Sequence, residues 1–159
     1  MNRHHSVSGA PSRVGGDAGQ VGGMEVLPFG FLVFISATLM FANVWGVIDA
    51  KFAVTSAARE ATRAFVEADG VDAAIAEARS RGEETMIAYG RGGDRANVGE
   101  PVLAEPFGRC ARVSITVTYE VPVIAIPFIG GFGSLDPVES THSEIVDPFR
   151  DGLEGVASC

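Results

Sequence analysis

Between Ser140 and Glu144 the chain places two serines, an imidazole and a carboxylate within five residues. Ser140 or Ser143 as nucleophile, His142 as base and Glu144 as acid are the side-chain types of a hydrolase. The local pattern works against that chemistry. The segment alternates like a strand, so His142 and Ser143 point to opposite faces. Catalytic triads are assembled from separated segments and need an oxyanion hole. Neither G-x-S-x-G nor H-E-x-x-H occurs. A polar strand face is the plainer reading. His4 and His5 are adjacent, but no third ligand type lies nearby, and no Cys/His cluster suggests zinc. The stretch Gly90–Asn97 has glycines and arginines without a preceding strand or a lysine–serine pair, so it reads as a flexible turn and not as a phosphate loop. No catalytic residue, metal site or cofactor is expected.

Three other residues carry chemistry of a different kind. Cys110 and Cys159 are the only cysteines. An even number in an extracytoplasmic segment permits one disulfide, and the alternative is two free thiols. Glu25 stands at the edge of an apolar run, where a carboxylate is costly. It is either a solvated anion favoured by a helix N-terminus or a partner for a cation on a neighbouring subunit.

The elements that would carry these residues follow from hydropathy and charge. The chain has 159 residues, room for about one domain, and the excess behind its positive mean hydropathy sits in one stretch. Residues 1–23 are rich in glycine, serine and polar residues, have no hydrophobic period, and read as a leader without fixed structure. From Val26 to Ile48 there are 23 residues without a formal charge, bounded by Glu25 and Asp49. A helix of that length reaches roughly 35 Å, enough to cross a hydrocarbon layer of about 30 Å. Only Ser36, Thr38 and Asn43 are polar within it, and Trp45 near its end suits a membrane interface. The run is too long for a secretory signal and lacks a clean cleavage site after it, so a retained anchor is expected.

The helix should continue past the membrane. Val54, Ala57, Ala58, Ala61, Ala64, Phe65 and Ala68 keep a three–four spacing, with Gly70 as the stop. That narrow alanine-rich face is suited to close packing, either on its own domain or on other subunits. A second helix is expected from Val71 to about Tyr89, with Val71, Ala74, Ile75, Ala78, Met86 and Ile87 inward and Gly82 as a weak point. Almost complete alternation from Cys110 to Val121 predicts a half-buried antiparallel strand, and shorter strands are expected near 100–105 and 138–146. The apolar loop 122–133 carries two prolines and needs a partner: its own core, the membrane surface or another protein.

Charge excludes one function class. Residues 69–159 hold fifteen Asp and Glu against seven Arg, so the whole net charge of −8 lies there. A nucleic-acid partner would require a basic face, and none is visible in this half.

Gly22-Gly-Met-Glu-Val-Leu-Pro28, the apolar run, Val47-Ile-Asp-Ala-Lys51 and Ala57-Ala-Arg-Glu-Ala-Thr-Arg63 together resemble the N-terminal region of TadE-like pilus-assembly proteins, especially actinobacterial ones. Those show an acidic residue and a proline at the start of the span and an AAREGAR-like stretch after it. Val117-Thr-Tyr-Glu-Val-Pro122 and Ser143-Glu-Ile-Val-Asp-Pro148 are similar to that family too, so the resemblance covers most of residues 19–148. It implies a type IV pilin-like minor pilin or assembly component of a tight-adherence pilus, structural and non-catalytic. It also implies a cytoplasmic N-terminus, cleavage of the leader by a prepilin peptidase, and other pilus subunits as partners. Family members place glycine before the cut and glutamate five positions after it. Here a cut after Gly19, Gly22 or Gly23 puts Glu25 sixth, third or second, a departure from that pattern. Alternatives are a single-pass envelope protein whose acidic domain binds a protein partner, and a membrane-anchored hydrolase using Ser140 or Ser143 with His142.

The expected fold class is therefore α+β and pilin-like: a leader (1–23), a transmembrane helix with an extracytoplasmic extension (24–69), and a small domain of one helix and a short antiparallel sheet (70–159). The membrane would be met through residues 26–48.

Overall fold

The computed structural model describes residues 21–122, 136–155 and 158–159. The fold is α+β: a long apolar helix, a second helix and a small antiparallel sheet. Helix α1 runs Val21–Glu67 and α2 Val71–Ala88. The strands are β1 Ala96–Val98, β2 Val102–Leu103, β3 Arg112–Tyr119 and β4 Val138–Ile145. The chain divides into two units between Thr38 and Leu39. The first, from Val21, is helical throughout its described part; the second holds the rest of α1 and every other element.

Among the described residues α1 runs from Val21, so residues 21–23 of the segment expected to lack structure are helical. Adding a residue to an established helix costs little compared with starting one, so a long helix can carry Gly22 and Gly23 at about 1 kcal/mol each. It also includes Pro28, which cannot donate to the carbonyl of the preceding turn. Residues 1–20 and the segment 123–135, which holds most of the apolar loop 122–133, lie outside the described residues. So do His4, His5 and Gly19.

In the second unit, Ala50, Ala53, Val54, Ala57, Ala58, Ala61, Phe65 and Ala68 of α1 are buried, with Ala64 at the margin. The alanine face therefore packs on the chain's own domain, which resolves the two uses left open for it. Small side chains let the helix approach the sheet closely, while Phe65, fully buried, meets Phe107 edge-on at 5.7 Å between ring centres. Thr62, also buried, satisfies its hydroxyl by donating to the Ala58 carbonyl at 2.6 Å.

α2 buries Ala74, Ala78, Gly82 and Met86, a stripe at every fourth residue. Val71 and Ile87, expected inward, are exposed. Ile87 is out of phase with that stripe at 100° per residue, and Val71, though in phase, is the first residue of the helix. Gly82 is a contact point more than a weak point. A Cβ there would lie 2.8 and 3.1 Å from the Val98 methyls and 3.4 Å from the Ala61 Cβ. The absent side chain is what lets α2, α1 and β1 meet.

β3 is the central strand. It pairs antiparallel with β1 and β2 along one edge and with the whole of β4 along the other, for example Val98 with Val117, Val102 with Ser114 and His142 with Ile115. Val113, Ile115, Val117 and Tyr119 are buried as the alternation required. The expected turn Gly90–Asn97 is shorter than read, because Ala96 and Asn97 already belong to β1. The strand expected over 100–105 contracts to two residues after Pro101, which has no N–H to offer a ladder. Gly99 links the two short strands, its N–H donating to Thr116 O at 2.8 Å.

Candidate functional site

The residues with catalytic side-chain types come first. Ser140, His142 and Glu144 share the half-buried face of β4, and Ser143 lies on the opposite face. Same-face neighbours on a strand sit roughly 7 Å apart. Ser140 Oγ is instead engaged by the Thr55 hydroxyl at 3.2 Å, and the carbonyl of His142 accepts from Thr62 at 3.5 Å. Ser143 Oγ is 2.7 Å from Ser114 Oγ, and Thr141 pairs in the same way with Thr116 at 2.7 Å. No hydrogen bond joins Ser140 to His142 among the described residues. The strand uses these groups to tie α1 to the sheet and to build a hydroxyl-rich outer face.

The cysteines are joined as Cys110–Cys159, with Cα atoms 5.5 Å apart and a separation of 49 residues. Around this bond the C-terminal segment is stitched to the fold. Arg109 N donates to Glu154 O at 2.8 Å and Arg109 Nε to Arg150 O at 2.8 Å. Arg150 donates to the carbonyls of Val66 and Glu67 and pairs with Asp69 at 3.1 Å. α1 has no basic residue in its last turn, so the cation that complements its exposed carbonyls comes from a residue more than eighty positions away. Gly70, expected to stop α1, is extended and serves as the N-cap position of α2. Sequence reading missed Arg150; a lone arginine near the terminus carries no signal of its partner.

A second cluster lies where the apolar run of α1 ends. Asp49 receives two hydrogen bonds from Arg91, from Nε at 3.0 Å and Nη2 at 2.6 Å, and Arg91 Nη2 also donates to Gly46 O at 3.3 Å. The guanidinium stacks over Tyr119 at 5.2 Å from the ring centre. Tyr89 joins its hydroxyl to Ser56 at 3.0 Å. On the open surface between α1 and α2, the hydrogen bond to Glu67 holds the Arg63 pKa above its ordinary value, with the charges of Glu67 and Glu60 adding to it.

Exposed apolar side chains concentrate on α1: Val26, Leu27, Phe29, Phe31, Leu32, Phe34, Met40, Phe41 and Trp45 are all more than half exposed. Among the described residues one helix is long and apolar enough to cross a membrane, by length and composition, and this is its apolar part. The first turns of α1 include Gly22, Gly23 and Glu25. A shallow cleft of about 330 Å³ between α2 and the turn before β1 is lined by Glu83, Met86, Ile87, Gly92, Gly93, Asp94 and Ala96. It brings together no group of metal ligands, and no cluster of three or more His, Cys, Asp or Glu suited to a cation occurs among the described residues. Compared with protein-family models, with curated proteins and with solved structures, the chain matches none.

Proposed function

We propose that this chain is a membrane-anchored structural subunit of a tight-adherence pilus, a TadE-like minor pilin or assembly component without catalysis of its own. The observation that carries the reading is the double use of α1. One continuous helix presents exposed apolar side chains over its first part and becomes the core helix of a small head over its last. Such a helix can hold a head at a membrane surface, and it can exchange lipid for the helices of neighbouring subunits without refolding the head. The ordered resemblance of most of residues 19–148 to TadE-like proteins supplies the pilus part. The disulfide is in keeping with a head outside the cytoplasm and an N-terminus inside it.

Within this reading the partners are other pilus or assembly subunits, and a prepilin peptidase cuts near Gly19, Gly22 or Gly23. Glu25 then lies close to the new N-terminus and pairs with the amine of a neighbour. Mass measurement of the N-terminus of protein recovered from membranes, with and without a prepilin peptidase, tests it. Peptidase-dependent loss of the leader is expected. An intact leader in both preparations would point instead to an unprocessed single-pass envelope protein. Normal piliation with Glu25→Ala would remove the role given to that carboxylate.

A further inference from the structure

We propose that the end of α2 and the turn following it, from Ile87 to Gly93, form a lipid-contacting element that rests in the headgroup layer of the bilayer crossed by α1. This rests on the membrane reading of α1 and adds a site on the head to it. Arg91 ties the turn to two consecutive levels of α1: the Gly46 carbonyl at 3.3 Å and the Asp49 carboxylate at 2.6 Å. Gly46 belongs to the uncharged run that ends at Ile48. A turn bonded to a residue of that run cannot stand clear of the medium around it. Each leaflet's headgroup layer is roughly 5–8 Å deep, and α1 climbs about 6 Å between Ile48 and Phe52. The turn and this stretch of helix therefore share one layer.

The side chains at this level suit an interface. Trp45 is 71% exposed, Phe52 63% and Ile87 64%, with Tyr89 and Ile48 also exposed. A single exposed isoleucine on a head surface would need no explanation. Ile87 differs because it packs beside Gly92, next to the arginine that fixes the turn; a Cβ on Gly92 would lie 2.4 Å from Ile87 Cγ1. The charge of Arg91 enters the layer already paired with Asp49, and its side chain is only 15% exposed. Tyr89 and Trp45 supply the aromatic rings with a polar tip that settle at such boundaries. Asp94 and Glu83, which line a cleft together with Ile87, are exposed and meet water at the outer boundary of this layer, which keeps the contact shallow.

The test uses the full chain, disulfide intact, reconstituted in phosphatidylcholine vesicles. A nitroxide is placed at Ile87→Cys or, at the other end of α2, at Asp72→Cys; both sites are exposed, so the fold tolerates them. Power saturation compares collisions with oxygen, which favours lipid, and with a water-soluble nickel chelate. Quenching of Trp45, the sole tryptophan, by acyl-brominated lipid reports the span separately. We expect Trp45 to be quenched, the label at 87 to show a several-fold higher oxygen-to-nickel ratio than the label at 72, and Arg91→Ala to lower that ratio. A label at 87 as nickel-accessible as that at 72, with Trp45 quenched, overturns the proposal and leaves the membrane anchor standing. Exclusion of both reagents at 87 overturns it in favour of a covering protein. An unquenched Trp45 removes the membrane reading itself.

Discussion

Gly82→Ala separates two physical arguments by the sign of one measurement. Helix propensity alone makes the change favourable by about 1 kcal/mol, because glycine in a helix interior loses more backbone freedom than alanine. Packing opposes it. The new methyl would lie 2.8 Å from Val98 Cγ2 and 3.1 Å from Cγ1, with the Ala61 Cβ at 3.4 Å behind it. Val98 is β-branched, stiff at χ1 and 9% exposed on a paired strand, so it has little room to yield. Overpacking of this kind costs about 1–3 kcal/mol, which leaves a net destabilisation of about 1 kcal/mol. For a head of this size that lowers the melting temperature by roughly 4–8 °C. Thermal unfolding of the full chain in detergent, followed by circular dichroism, reads it. On a Val98→Ala background the obstruction is gone, and the same Gly82→Ala change should stabilise, so the cycle has a clear coupling energy. A rise in melting temperature from Gly82→Ala alone would refute the close approach of α2, α1 and β1.

Arg150→Ala should destabilise the head by roughly 1–3 kcal/mol, because the Val66 and Glu67 carbonyls lose their charged donor; the denaturant midpoint measures it, and Arg150→Lys should restore only part. Removing the disulfide with the pair Cys110→Ala and Cys159→Ala should cost up to roughly 4 kcal/mol for a loop of 49 residues, and limited proteolysis should then cut the C-terminal segment first. Phe65→Ala empties a fully buried site against Phe107 and should cost about 3–5 kcal/mol in the same unfolding assay. His142→Ala, on a half-buried strand face with no hydrogen bond to Ser140, should leave piliation intact; its complete loss with a folded head would argue for the hydrolase alternative.

The parts legible in the chain are those written in local periodicity. The 23-residue uncharged run, the three–four alanine spacing after it and the alternation over Cys110–Val121 each state their own geometry, because a helix or strand exposes its period to anyone counting residues. The long helix α1, the central strand β3 and the inward set Val113 to Tyr119 follow from these patterns, and α2 and a strand near 138–146 are expected as well. Short edge strands are less legible: β1 reads as part of a turn, and β2 is expected but longer. Three residues of β1 and two of β2 hold no period, and they exist because β3 offers them a ladder.

The polar contacts are less legible still, since a charged side chain does not encode the distance to its partner. Arg91 reads as part of a flexible glycine–arginine turn, yet the fold brings it to Asp49, and Arg150, which carries no reading in the sequence, meets the end of α1. Gly82 shows the same limit from the other side. Propensity marks it as a flaw, and only the approach of Val98 and Ala61 gives it a purpose. Hydrophobic burial is non-directional and repeats along the chain, so its pattern survives in one dimension. Hydrogen bonds and close contacts are directional and pair residues far apart in sequence, so they exist only once the helices and the sheet have come together.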